Sequence, residues 1–181
     1  MNNYTLKQLL EEFRRRRFLE PLRDDCVVER MDGPDIDTQL KEDILQWYAR
    51  LIDTAPPDWL HTEDVSADTI MEIIPGTGAV TLSLPEDVRR VISITIEGNP
   101  LPVALITDPE SPLMKLQTNP FTRAGRMNPV AFLNSPRFIT LFAHDRSGTP
   151  PVLTSLTAVR LEPDIFKFDN RAWETVPQIK I

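Results

Sequence analysis

An α+β fold is what the sequence predicts: N-terminal helices, a small mainly antiparallel β domain with an inserted short helix, and an extended C-terminal arm. Three observations lead there. Apolar residues recur at helical spacing through the first ~57 positions. β-Branched residues alternate with polar ones from Ala79 onward, and 17 prolines spread over 181 residues punctuate short elements. Helices segregated from strands in this way read as α+β. Hydrophobic residues at 41% and charged residues at 26% suit a globular chain, which at this length buries roughly 70% of its unfolded surface.

The first helix is predicted from Thr5 to about Leu22. Leu6, Leu9, Leu10, Phe13 and Arg17 fall at helical spacing, Thr5 and Gln8 offer a capping box, and Pro21 ends the run. A polar loop follows to Ile36. The second helix runs from an Asp37 N-cap to Thr54, with Leu40, Ile44, Trp47, Tyr48 and Leu51 along one face. Pro56-Pro57 stops it. Residues 58–75 read equally as a short helix or the lead into a strand.

From Ala79 the pattern is β. Val80, Leu82 and Leu84 alternate, and the run Val91 to Ile96 is expected to form a hairpin with Leu101 to Ile106 across Glu97-Gly98-Asn99-Pro100. Ser111-Pro112 is an N-cap followed by a first-turn proline, opening a short helix to about Gln117. Pro129 to Leu133 and Arg137 to Ala143 read as a second hairpin, and Val152 to Leu161 as a further strand. No clean period follows Glu162. The expected organisation is a helical region over 1–57, a β domain over 58–162 and an arm over 163–181. No internal repeat is present.

Charge and motif content narrow the function. The net charge of −7 disfavours a general nucleic-acid binder, which needs a surplus of Lys and Arg on one face. A single cysteine, Cys26, excludes an internal disulfide and a multi-cysteine zinc site. Residues 1–20 lack the pattern of a secretory signal, and no window of ~18 apolar residues could span a membrane. The chain is therefore expected to be soluble and made in the cytoplasm. His61 beside Glu63 and Asp64, and His144 beside Asp145, lack metal-ligand spacing. Cys26 sits behind Asp24-Asp25, which disfavours a thiolate. No nucleophile elbow, glycine-rich phosphate loop or converging acid pair occurs, so no catalytic, cofactor or metal residue is nominated.

Two features point instead to contacts between proteins. Arg14 to Arg17 are four consecutive arginines on a helix, where at most two share a face and Glu11 and Glu12 can pair with Arg15 and Arg16. Arg14 and Arg17 are the candidates for a partner surface. In the C-terminal arm, Phe166, Phe168 and Trp173 are candidate intersubunit anchors, because large apolar side chains near a terminus either pack on their own domain or dock on a neighbour.

A resemblance sharpens this reading. Residues 82–105 run Leu-Ser-Leu-Pro-Glu-Asp-Val-Arg-Arg-Val into the β-branched segment and its turn. Residues 107–133 continue with Asp108-Pro109-Glu110-Ser111-Pro112, the short helix, Asn119-Pro120-Phe121-Thr122-Arg123-Ala124-Gly125 and Asn128-Pro129-Val130-Ala131-Phe132-Leu133. Together they resemble head–tail connector proteins of tailed bacteriophages, most closely the ring or adaptor proteins of crAss-like phages. Arg123-Ala124-Gly125-Arg126 stands where that pattern has a tight Arg-Gly, and Asn99-Pro100 where it has an aromatic. The resemblance implies a non-enzymatic virion protein of the neck, forming a homo-oligomeric ring of about twelve copies. Its partners would be the portal protein and tail or other ring proteins, with genome DNA passing through the channel without sequence-specific binding and no membrane involved. An acidic lumen would repel phosphates. The alternative expectation is a soluble scaffolding or regulatory module that binds one protein partner through its hydrophobic tail.

Overall fold

The computed structural model describes residues 1–16, 36–77, 79–99, 101–119, 121–125, 127–135, 137–143, 150–162 and 164–176. In chain order these form β1 (Asn2–Thr5), α1 (Leu6–Arg16), α2 (Ile36–Thr54), β2 (Glu63–Asp64), β3 (Ile70–Ile73), β4 (Ala79–Ser83) and β5 (Val88–Ile96). There follow β6 (Ala104–Ile106), α3 (Pro112–Gln117), β7 (Val130–Ser135), β8 (Phe138–Phe142), β9 (Leu153–Arg160) and β10 (Ile165–Phe168). The class is α+β, as expected. The chain divides into one unit made of residues 1–61 and 162–181 and a second made of 62–161, which is an insertion in the first.

The first unit begins with the capping box. The Thr5 amide donates to Gln8 Oε1 at 2.8 Å and the Gln8 amide to Thr5 Oγ1 at 3.4 Å, opening α1. Leu9, Leu10 and Phe13 form its buried stripe. The continuation predicted to Leu22 lies outside the described residues. In α2, Leu40, Ile44, Trp47, Tyr48 and Leu51 are buried as the spacing required. Asp37, expected as the N-cap, is a helical residue of α2 and holds Arg14 of α1 in an ion pair.

The C-terminal arm is not free. β10 pairs antiparallel with β1 in the register Asn2↔Phe168 to Thr5↔Ile165, and Asn170–Thr175 form a 3-10 turn. Phe166, Phe168 and Trp173 are buried inside the first unit. Trp173 stacks on Trp47 with centroids 5.6 Å apart, Tyr4 stacks on Phe168 at 4.8 Å, and Phe13 meets Trp47 edge-on at 5.3 Å. The polar atoms of the cluster are paired as well: Trp47 Nε1 donates to Thr175 Oγ1 at 3.0 Å and the Lys167 amide to the Tyr48 hydroxyl at 3.2 Å. This corrects the separate-arm expectation. The buried faces of α1 and α2 pack against these rings, so segment 164–176 belongs to the core of the first unit.

The second unit is two sheets around one apolar cluster. One sheet has the order β2-β9-β5 and the other β3-β4-β8-β7-β6. Val91, Ile94, Ile96, Leu156 and Ala158 from the first meet Val80, Leu82, Ala131, Ile139 and Leu141 from the second. The hairpin expected between Val91–Ile96 and Leu101–Ile106 does not form. β5 pairs with β9, and β6 runs parallel to β7 in the other sheet. Turn chemistry alone suggested the hairpin. However, β6 is three residues long and flanked by Pro102, whereas β9 offers β5 an eight-residue partner. Arg89 and Ile92 have no opposite residue on β9, so β5 carries two bulges. Its buried positions consequently fall at Val88, Val91, Ile94 and Ile96 rather than on strict alternation. The β7–β8 hairpin and the β9 strand lie where the sequence put them.

Two polar anchors hold β2 and the adjoining 3-10 turn Ser66–Asp68 to β9. Arg160 Nη1 donates to Asp87 at 2.8 Å, Nη2 pairs with Asp68, and Nε lies 3.6 Å from Glu63. Asp64 Oδ1 accepts the amides of Ser66 at 2.9 Å and Leu156 at 3.1 Å, and these bonds hold its carboxyl below the usual carboxylate range.

Two outcomes follow from this packing. Trp173→Ala is expected to destabilise the first unit by ~3–5 kcal/mol, read by chemical denaturation with tryptophan fluorescence; an unchanged transition would return these rings to the role of docking anchors. A carboxylate whose folded pKa is depressed stabilises the fold fully above its unfolded value, about 4, and that contribution fades as pH falls through the folded value. Urea midpoints of the natural chain should therefore drop more steeply below about pH 4 than those of Asp64→Asn.

Candidate functional site

The residues nominated from sequence as interface anchors are mostly engaged within the chain. Phe166, Phe168 and Trp173 are 4%, 0% and 7% exposed, too little for docking on another molecule without unfolding. Arg14 is committed to Asp37. Glu12 takes both Arg15 and Arg16, at 2.6 Å each, and Arg16 also donates to the Trp173 carbonyl at 3.2 Å and lies over its ring. Arg17 lies outside the described residues, as do Cys26 and His144. The basic run therefore acts largely inside the first unit, because α1 turns its arginines toward α2 and the 3-10 turn. Among the described residues no group of three His, Cys, Asp or Glu side chains is placed to hold a metal ion. Among the described residues no helix is long and apolar enough to cross a membrane.

What the second unit does present is the crossover from β6 to β7. Neighbouring parallel strands need a connection that passes over one face of the sheet. The register aligns Val80, Leu141 and Ala131 on the core face, so the next row, Ala79, Phe142 and Val130, points the other way. These three are buried all the same. The crossover itself runs from the end of β6 through α3 to the start of β7.

Its conformation is fixed by hydrogen bonds. Ser111 Oγ accepts the Met114 amide at 3.1 Å, capping α3 with Pro112 in the first turn as the sequence indicated. Gln117 is the buried polar side chain of the described structure. Its Nε2 donates to the Leu113 carbonyl at 2.8 Å and its Oε1 accepts the Ala124 amide at 2.7 Å. Arg123 Nε donates to the Gln117 carbonyl at 2.9 Å while Nη1 reaches the Thr77 carbonyl in the β3–β4 turn. Asn119 Oδ1 accepts the Phe121 amide at 2.9 Å, and Thr122 Oγ1 donates to the Leu116 carbonyl at 2.8 Å.

A loop this heavily bonded has a fixed backbone, and several of its exposed side chains are apolar. Phe121 is 96% exposed and Met127 83% exposed, with Leu113 and Leu116 about half exposed on α3. A large aromatic on a loop whose backbone is already fixed suits protein contact, since the backbone part of the ordering cost is met before binding. Sequence reasoning matched this segment as a pattern and did not single out Phe121. The available signal was an aromatic enclosed by Asn119-Pro120 and Thr122-Arg123, a turn context with no apolar neighbour to pack it.

Comparison with models of known protein families and with curated proteins finds no match for this chain.

Replacing Gln117 by Leu keeps its bulk and strands the Ala124 amide. The expected cost is ~1–3 kcal/mol, with faster amide hydrogen exchange confined to residues 117–125. Exchange that rises uniformly over the second unit would show that Gln117 supports the sheet rather than the loop.

Proposed function

We propose that this chain is a non-enzymatic structural subunit of a tailed-phage neck, forming a ring between portal and tail and lining the DNA channel. The observation that carries the reading is the crossover. The residues that resemble head–tail connectors are the ones that build it: Ser111 and Pro112 start α3, Asn119 and Arg123 lock the loop, and Val130 to Leu133 form β7. The same segment carries Phe121 and Met127 exposed on its surface. A ring subunit needs such fixed apolar projections, because each copy contacts unlike surfaces on its two neighbours. An excess of negative charge lets duplex DNA pass without adhering to phosphate-binding arginines. The ring would sit in the virion neck, in about twelve copies, with the portal and the next tail component as partners.

Phe121→Ser tests this directly. The side chain is almost fully exposed, so the melting temperature of the purified variant should stay within about 2 °C of the natural chain, since exposed substitutions change stability by ~0.5 kcal/mol or less. Incorporation into particles assembled in the host should fall at least about tenfold, the loss expected when a hot-spot aromatic is removed. Normal incorporation, or absence of the natural chain from the neck of purified particles, overturns the proposal.

A further inference from the structure

Among the described residues, β3 is an edge of the five-stranded sheet with no strand paired to its outer side. At the opposite edge, β6 is three residues long and bracketed by Pro102 and Pro109, the usual ways of blunting an edge. β3 is one residue longer, has no lysine or bulge within Ile70–Ile73 and is flanked by proline at one end only, at Pro75, while Ile70 and Ile73 are 64% and 56% exposed. Its free groups can be identified. The Ile74 amide donates to the Ala79 carbonyl at 2.8 Å, so Glu72 and Ile70, in step with Ile74, also turn their main-chain groups toward β4. The amides and carbonyls of Met71 and Ile73 therefore face outward, available to another strand.

One segment of this chain complements that edge in both charge and pattern. Residues 177–181, outside the described part, read Pro-Gln-Ile-Lys-Ile, apolar and polar in strict alternation. Set antiparallel with Lys180 opposite the exposed Glu72, they place Ile179 against Ile73 and Ile181 against Met71. Met71 packs on the core cluster, so both isoleucines land on the core side of the sheet. Lys180 and Glu72 then form a pair of the kind not joined by main-chain bonds, where side chains approach most closely. Pro177 falls opposite Pro75, in step with Met71 and Ile73, where neither proline has an amide to donate, so the added ladder ends at the pair Ile73 and Ile179.

We infer that the edge of β3 receives segment 177–181 of a neighbouring copy as an added strand. This rests on the ring reading. Tail and edge are unlike surfaces, so the contact is head-to-tail and repeats from copy to copy, which closes a ring when the rotation permits. The apolar anchoring expected of the C-terminal region is thereby assigned to Ile179 and Ile181, with Phe166, Phe168 and Trp173 retained by the core.

The test uses the full chain carrying Glu72→Cys and Lys180→Cys in a Cys26→Ser background, oxidised in assembled particles and resolved without reductant. The expected result is a ladder of covalent multimers spaced by one chain. Separately, Glu72→Lys and Lys180→Glu should each reduce the assembled fraction at least about tenfold, and the two together should restore it, as for a pair whose charges are exchanged. A disulfide formed only within one chain overturns the inference, as do charge variants that assemble like the natural chain. Either result leaves the ring reading intact as long as the natural chain is found in the neck of particles. Absence of the natural chain from the neck removes both.

Discussion

The first unit is built from opposite ends of the chain, and what joins them is the antiparallel register of β1 with β10 and the ring cluster behind it. Phe168, fully buried, meets Tyr4, Trp47 and Trp173, so one residue of the returning strand touches β1, α2 and the closing 3-10 turn. Aromatic pairs of this geometry contribute about 0.5–1.5 kcal/mol each beyond burial. The intervening hundred residues are a modest burden, because each doubling of a closed loop adds only about 0.6 kcal/mol. The second unit, residues 62–161, is inserted in the chain between His61 and Glu162. The cost is that the rings joining the two ends of the chain cannot also dock on a neighbour.

Within the second unit the two bulges of β5 decide how the sheets close. A bulge increases local twist and shifts which side chains face inward. By omitting Arg89 and Ile92 from the pairing with β9, β5 turns Val88, Val91, Ile94 and Ile96 toward one core while leaving Arg89 exposed and Ile92 half-buried. Arg160 and Asp64 then fix the outer strand β2 and its adjoining turn to the same scaffold with charge-assisted bonds. The result is a rigid frame on which the β6–β7 crossover rests. Gln117 and Arg123 tie the loop's backbone to α3 and to the β3–β4 turn, and Phe121 stands exposed on it.

The sequence by itself determined the local elements wherever a short-range physical signal exists. The Thr5–Gln8 capping box, the apolar face of α2, the Ser111-Pro112 start of α3, the β7–β8 hairpin and the alternation of Val80, Leu82 and Leu84 all depend on contacts within a few residues or on a single period. Class followed from their segregation. Only the tertiary structure decided partners. Whether Val91–Ile96 would join the strand next along the chain or β9, some sixty residues away, depended on which offered a long enough edge and a second apolar face. Whether Phe166, Phe168 and Trp173 would form a core or an interface depended on how much apolar surface α1 and α2 leave open, a quantity no window of sequence contains. Phe121 escaped notice for the converse reason. An aromatic in a loop is identical on paper whether it is buried or bare, and only the folded chain leaves it in solvent.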